Sequence, residues 1–137
     1  MTYPFADTNL LISLLTNDDL KKQAAAAAFF EKVTKGEVTI LAPDTVIADA
    51  VFVLSSPKLY NMPRSQIRDT LTTLVKLPHF KIQNKQTVLK ALEIYGSSKL
   101  DFGDAMIIAL MEHKKSQLLY SYDTDFDKIP GIKRQEP

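Results

Sequence analysis

"VTILAPDTVIADAVFVL", residues 38–54, holds the pattern that decides the fold. Its first four residues are apolar or β-branched and predict a short strand, and "APD" at 42–44 predicts a turn. The apolar run that follows predicts a helix, with Asp44 as its N-cap. The stretch is therefore a strand followed by a helix, and Asp49 falls in the middle of a helix that is expected to be buried nearly all round.

The same alternation of strand and helix continues along the chain. Apolar and β-branched runs predict further strands at 2–6, 80–83, 118–123 and 131–135. Periodic apolar patterns predict helices at 7–15, 18–35, 63–76, 86–97 and from 100 onward. Strands that alternate with helices at these lengths predict an α/β fold, with a central, mostly parallel sheet and helices on both faces. A length of 137 residues predicts a single domain, 1–137.

The composition excludes several classes of site. The chain has no cysteine, which removes disulfides, thiolate metal ligands and cysteine nucleophiles. The N-terminal residues lack the basic and apolar pattern of a signal peptide, and no apolar run approaches the roughly 20 residues of a membrane-spanning helix. We therefore expect a cytoplasmic protein with no membrane association. A net charge of +1 predicts no general attraction to nucleic acid, so any RNA contact depends on local groups.

Aspartates occur where an α/β fold would bring them together. Asp7 and Asp123 each follow a predicted strand, "YPFA" and "LLYSY", and open α/β sheets carry their sites beyond the carboxyl ends of strands. Asp49 and Asp104 interrupt apolar helices, "VIADAVFVL" and "DAMIIALM". Because an ionised carboxylate is strongly disfavoured when it is buried without a partner, acids that converge in this way require a cation.

Most of these acids have a structural alternative. Aspartate is a favoured helix cap and turn residue, and that interpretation applies to Asp7, Asp44, Asp101, Asp104, Asp123 and Asp125. Asp49 differs because it lies in the middle of its helix, where aspartate has poor propensity and no cap to make. Its position indicates either a ligand-binding role or a buried partner that the sequence does not supply.

The residue types favour a particular kind of metal site. Carboxylates grouped without histidine or cysteine suit a hard divalent cation, Mg²⁺ or Mn²⁺, better than Zn²⁺. Such an ion serves phosphodiester chemistry, because it acidifies a bound water and neutralises charge on the phosphate oxygens. The sequence therefore predicts a hydrolytic metal centre built from Asp7, Asp49, Asp104 and Asp123.

In order and spacing, four motifs of this sequence resemble those of the PIN domain, and in particular those of the VapC-type toxins of toxin–antitoxin pairs. "ADTNLL" resembles the opening motif, with Asp7 as the first acid and Asn9 as a nearby polar helper. "LDFGDAMIIAL" resembles the third motif, with Asp104 as the metal ligand and Asp101 as an accessory carboxylate.

The fourth and second motifs complete the resemblance. "YSYDTDF" resembles the fourth motif, with Asp123 as a metal ligand, Ser121 where threonine is usual and Asp125 as an accessory acid. "PDTVIADAVFVL" lies where the second motif is found, but Asp49 stands where the family has glutamate. We interpret Asp49 as a variant metal ligand that is shorter by one methylene.

The resemblance implies a PIN-like fold and an endoribonuclease that depends on Mg²⁺ or Mn²⁺ and acts as the toxin of a type II toxin–antitoxin pair. It also implies a homodimer that a small VapB-like antitoxin neutralises. Two alternatives stay open: a catalytically weakened PIN scaffold that binds RNA or protein, and a PIN ribonuclease in RNA processing outside a toxin–antitoxin pair. A phosphoacceptor receiver domain also uses clustered aspartates and Mg²⁺, but its pattern of acids and lysine after particular strands does not match.

Basic residues and one surface segment complete the expectations. Arg64 and Arg68, four apart in "RSQIR", share a helix face and either contact RNA phosphate or lie on a solvated or dimer-contact face. The same alternatives apply to "KK" at 114–115 and "KR" at 133–134. "SSPKLYNM" at 55–62 is expected to form a dimer or antitoxin surface.

Overall fold

Helices make up most of the regular structure. The computed structural model describes residues 2–137. Its elements in chain order are α1 (Thr8–Leu15), α2 (Leu20–Thr34), β1 (Ile40–Ala42), α3 (Asp44–Ser55), α4 (Arg64–Val75), β2 (Phe80–Ile82), α5 (Lys85–Ser97), α6 (Phe102–Lys114), β3 (Leu118–Tyr120), a 3₁₀ turn (Thr124–Lys128) and β4 (Lys133–Gln135). Each predicted helix is present, with its ends shifted by a few residues. Among the described residues, no helix combines the length and apolar character that crossing a membrane requires.

The strands are short and pair in parallel. β1 pairs with β2, with Ile40 opposite Phe80, and β3 pairs with β4, with Leu118 opposite Lys133. Within the described part of the chain these pairs form two two-stranded sheets, whereas the sequence predicted a central, mostly parallel sheet. The predicted α/β class and the parallel pairing are confirmed.

The segment predicted as a strand at 2–6 makes a single parallel bridge, Phe5 with Leu41. The Leu41 amide donates to the Pro4 carbonyl at 2.9 Å, and the Ala6 amide donates to the Leu41 carbonyl at 3.0 Å. Because proline has no amide hydrogen, Pro4 cannot extend the ladder as a donor. Asp7 therefore lies just beyond the residues that pair with β1.

The hydrophobic core has two parts, and α6 contributes to both. The larger cluster includes the fully buried Phe80 of β2 and Ala105 of α6. The smaller cluster joins Ile108 and Met111 of α6 to Phe126 of the 3₁₀ turn. α6 therefore holds the C-terminal strand pair against the rest of the molecule, which brings the acids of both regions within reach of each other.

The prediction that Asp49 lies in a helix buried nearly all round is wrong. α3 buries one face, formed by Val46, Ile47, Ala50, Val51 and Leu54. Its opposite face carries Thr45, Asp49 and Phe52, which are exposed and lie on one stripe at helical spacing. The sequence misled because Phe52 is apolar and yet belongs to the exposed stripe. Asp49 faces solvent and therefore needs no buried partner.

The prediction that Asp44 is the N-cap of α3 is also wrong. Pro43 occupies the cap position, and Asp44 is the first residue of the helix. The Asp44 carboxylate instead accepts a hydrogen bond from the Asn84 side chain at 3.0 Å, which ties α3 to the start of α5. A negative charge in the first turn also interacts favourably with the helix dipole.

Candidate active site

Asp7 caps α1 and lies next to α3. Its Oδ1 atom accepts a 3.1 Å hydrogen bond from the Leu10 amide, as the structural alternative predicted. The neighbouring Thr8 hydroxyl donates to the Val46 carbonyl at 3.4 Å, so the start of α1 lies against the first turn of α3. Asp7 is exposed, and its second carboxylate oxygen is not used by the cap.

Asp101 caps α6 and orients Asp104. The Asp104 amide donates to Oδ1 of Asp101 at 2.8 Å, which is the shortest hydrogen bond among the predicted caps. Asp101 is exposed and Asp104 is half-buried in the first turn of the helix. The cap therefore fixes the position of one carboxylate relative to the other.

Ser121 and Asp123 shape the turn that follows β3. The Asp123 amide donates to the Ser121 hydroxyl at 3.0 Å, and Oδ1 of Asp123 accepts from the Asp125 amide at 2.9 Å. Arg134 donates to the Ser121 carbonyl at 3.1 Å and pairs with Asp127 at 2.8 Å. Arg134, for which the sequence left open a phosphate contact, a solvated face or a dimer contact, therefore uses its guanidinium to brace this turn.

Repulsion between carboxylates marks the centre of the site. The pKa of Asp104 is raised above its usual range, first by burial and then by the negative charges of Asp101, Asp123 and Asp125. The structure thus brings together acids from the start of α6 and from the turn after β3. Such a group becomes favourable when a cation neutralises it.

The structure does not bring all of the predicted metal ligands into one cluster. Asp7 caps α1 and Asp49 lies on α3, and neither is among the carboxylates whose charges raise the pKa of Asp104. Asn9 is exposed on α1. Between residues 2 and 137, no three histidine, cysteine, aspartate or glutamate side chains are already positioned to hold one metal ion. The donor chemistry fits Mg²⁺ or Mn²⁺, because these ions take carboxylate oxygens. The cluster around Asp104 supplies the charge for such an ion, and a ligand shell would form only as side chains rotate toward it.

Arg64 is a residue of this region whose role sequence reasoning missed. Its Nη1 atom donates to the carbonyls of Leu100, Ser98 and Tyr95 at 2.6, 3.2 and 3.2 Å. Nη2 donates to the Lys99 carbonyl at 3.2 Å, and the guanidinium lies 4.3 Å from the centre of the Tyr95 ring. Arg64 thus secures the segment that leads into α6.

Arg64 therefore lies on neither a solvated face nor a simple phosphate-binding face, although the sequence allowed both. Arg68, its predicted companion, pairs with Asp69 at 2.8 Å. The sequence carried no local signal for the Arg64 anchor, because its acceptors lie 31 to 36 residues away along the chain.

The fold agrees with the comparisons to known proteins. The family model described as the PIN domain matches residues 5–132, so the chain belongs to the PIN domain family. The chain is also similar to the VapC ribonuclease of Aquifex aeolicus (strain VF5), with 24% identity over 131 residues that cover 96% of this chain and 94% of that protein. The resemblance inferred from the four motifs is confirmed.

Proposed function

We propose that this protein, as a single domain over residues 1–137, is a Mg²⁺- or Mn²⁺-dependent endoribonuclease that hydrolyses RNA phosphodiester bonds. The observation that carries the proposal is the meeting of the half-buried Asp104 with Asp101, Asp123 and Asp125, whose charges, together with burial, raise the pKa of Asp104. Carboxylates perturbed in this way are concentrated at functional sites, where a bound cation can relieve the repulsion. Membership of the PIN domain family and similarity to a VapC ribonuclease support the same reaction class.

The chain supplies a consistent set of ligand oxygens. We assign Asp7, Asp49, Asp104 and Asp123 as the residues that hold the ion, with Asn9, Asp101, Ser121 and Asp125 as accessory groups. In Asp7, Asp101 and Asp123 the cap hydrogen bond uses Oδ1, which leaves Oδ2 for another ligand. When bound, the ion supplies neutralisation of phosphate charge and acidification of water.

Backbone hydrogen bonds at the caps orient the residues of the proposed site. Asp101 fixes the first turn of α6 and hence the carboxylate of Asp104, while Ser121 fixes the backbone of Asp123. Asp49 extends from the exposed face of α3, so its carboxylate requires no displacement of core residues to approach a bound cation. An orientation set by backbone hydrogen bonds limits the entropy lost when substrate binds.

We further propose that the protein is the toxin of a type II toxin–antitoxin pair and acts in the cytoplasm. Its partners would be an RNA substrate, a small VapB-like antitoxin and a second copy of the chain as a homodimer. The similarity to VapC supports this assignment. The segment at 55–62 supports a protein contact as well, because Leu59 is 61% exposed there.

The test of the reaction is cleavage of a mixed pool of structured RNA. We expect cleavage in Mn²⁺, none in EDTA, and none with Asp7→Asn. Asp19→Asn is a matched control, because Asp19 caps α2 through the same kind of bond, from the Lys22 amide at 3.0 Å, and lies outside the cluster. Full activity of Asp7→Asn, or equal loss in both variants, would contradict the assignment of Asp7.

A second candidate is a weakened PIN scaffold that binds RNA or protein without cleavage. The observation that favours it is the absence of a preformed three-residue metal site among residues 2–137, together with the shorter Asp49. A metal titration separates the two candidates. A working site gains about 2.7 kcal/mol of unfolding free energy when Mn²⁺ is at 100 times its Kd, whereas a scaffold gains little. A PIN ribonuclease of RNA processing would bind metal equally and would differ in having no inhibitory antitoxin.

A further inference from the structure

A cavity of about 570 Å³ opens beside the acidic cluster. It lies between α3, the start of α4 and the start of α6, and its wall includes Phe52, Asn61, Arg64 and Asp101. Its volume falls within the range of small-ligand pockets. One end of the cavity is therefore formed by a residue of the proposed nuclease site, and the rest extends away from it.

Phe52 is the most unusual side chain of this wall. Phe52 is 75% exposed, although its helix buries a complete apolar face on the other side. Phe52 follows Asp49 by three residues on the same exposed stripe of α3. An exposed aromatic ring next to a phosphodiester-cleaving centre is the type of surface on which an unpaired nucleobase stacks.

Two further residues of the wall, Asn61 and Ser55, carry polar groups of the kind that a base edge requires. Asn61, held in a left-handed conformation with φ of 45°, lines the cavity with an amide that both donates and accepts hydrogen bonds. Ser55 also lines it and donates its hydroxyl hydrogen to the Phe52 carbonyl at 3.3 Å. Amides and hydroxyls of this kind pair with the donors and acceptors at the edge of a base.

The floor of the cavity is rigid. Arg64 is held by the carbonyls that lead into α6, and its guanidinium stacks on Tyr95. Tyr95 in turn packs edge-to-face against Phe102, with ring centres 6.3 Å apart. All three side chains line the cavity. A site whose walls are already fixed loses little entropy on binding.

We propose that this cavity is a nucleobase subsite, in which Phe52 stacks on an unpaired base of the RNA next to the phosphate that is cleaved. The proposal rests on the proposed ribonuclease function and adds to it a determinant of substrate choice. A protein segment is the less favoured occupant, because, among the described residues, Phe52 is the only large apolar side chain of this wall that is strongly exposed, while Val51, Tyr95 and Phe102 are buried. The cavity is also continuous with Asp101, where the RNA backbone would lie.

The test uses single-stranded oligoribonucleotides that each carry one 2-aminopurine, moved along the strand, because the fluorescence of this base is quenched when it stacks. Binding is measured in Ca²⁺, and the strand is checked for integrity on a gel. We expect quenching at one position with the wild-type protein and with Phe52→Tyr. With Phe52→Leu we expect that quenching to be lost and the oligoribonucleotide to bind at least about tenfold more weakly, because the stacking of one base contributes on this scale.

Leu20→Ala is the matched control, because Leu20 is 69% exposed on α2 and does not line the cavity. Quenching that is absent in the wild-type protein, or unchanged in Phe52→Leu, overturns the subsite. If Phe52→Leu changes only the sedimentation of the protein, the ring belongs to a protein contact and the proposal is also overturned. Cleavage in Mn²⁺ is measured separately, so a failure of the nuclease reaction is distinguishable from a failure of the subsite.

Discussion

The Arg64 guanidinium donates a 2.6 Å hydrogen bond to the carbonyl of Leu100, one residue before Asp101 caps α6. The same guanidinium bonds three other carbonyls of this segment and stacks on Tyr95. The acceptors come from the end of α5 and the loop after it, so this one side chain secures the segment that leads into α6, whose first turn carries Asp104.

Arg64→Ala should destabilise the protein and reduce its activity together. Losing charged hydrogen bonds to several carbonyls should lower the free energy of unfolding by about 1.5–3 kcal/mol. Urea denaturation measures the stability, and RNA cleavage in Mn²⁺ measures the activity. Arg64→Lys should recover part of the stability. Arg68→Ala removes a surface pair with Asp69 and the packing of the Arg68 stem beside Gly96, and should change stability less, by about 1 kcal/mol. Equal effects of Ala at both positions would refute the anchor.

Asp104→Asn should stabilise the metal-free protein at neutral pH. Burial and the neighbouring carboxylates raise the pKa of Asp104 in the folded state above its value in the unfolded chain. The folded state therefore holds this proton more tightly, and the free energy of unfolding falls as the pH rises through the interval between the two pKa values. In Asp104→Asn this decrease in the free energy of unfolding with rising pH should be absent. Urea denaturation in EDTA, from acidic to neutral pH, measures the difference.

Asp127→Asn is the control of opposite sign. The hydrogen bond from Arg134 lowers the pKa of Asp127, so its contribution to stability is present above the pKa of the unfolded state and is lost as the pH falls through the folded value. This variant should be less stable than the wild-type protein at neutral pH. Parallel pH profiles for the wild-type protein and Asp104→Asn would contradict the repulsion described for Asp104.

Asp49→Glu should keep or increase RNA cleavage, whereas Asp49→Asn should reduce it. Asp49 is exposed on α3, so the longer acid enters no packed space and regains the reach of the glutamate that the family motif carries. Steady-state cleavage in Mn²⁺ measures both variants, and urea denaturation should give stabilities close to that of the wild-type protein. Complete loss of activity in Asp49→Glu would mean that Asp49 does not act as an interchangeable ligand.

Ser121→Ala should lower cleavage by about tenfold, the usual effect of removing a group that orients a metal ligand. The Ser121 hydroxyl accepts the hydrogen bond of the Asp123 amide at 3.0 Å, and alanine offers no acceptor. Ser121→Thr retains the hydroxyl and should restore activity. Mn²⁺ affinity, measured by calorimetry, should change in the same order. Equal activity of the alanine and threonine variants would show that the Ser121 hydroxyl does not contribute to the site.

Local rules predicted the helices and most caps from the sequence. Asp7 and Asp101 were expected as caps because aspartate before an apolar run accepts the amide hydrogen bonds of a first turn, and both do so. The family was recognisable because four short motifs occur in the right order. The exposure of Asp49 was not predictable from apolar content, because Phe52 on the same stripe is apolar and exposed.

Contacts between residues that are distant along the chain could not be predicted from local sequence patterns. The Arg64 anchor joins residues that are 31 to 36 apart in sequence, so neither periodicity nor a motif signals it. The division of the strands into two pairs depends on packing around α6, which no single segment encodes. The cavity beside Phe52 is likewise lined by residues of four helices, α3, α4, α5 and α6, which extend from Ala48 to Gly103 along the chain.

The capping role of three site aspartates has an evolutionary consequence. Asp7, Asp101 and Asp123 each hold a backbone amide, so selection for folding alone would preserve them after catalysis had been lost. Asp49 and Asp104 cap nothing among the described residues, so drift at these two positions would be the earliest sign of a relative that has abandoned RNA cleavage. Comparisons between relatives of this protein should therefore give more weight to Asp49 and Asp104 than to the other aspartates of the proposed site.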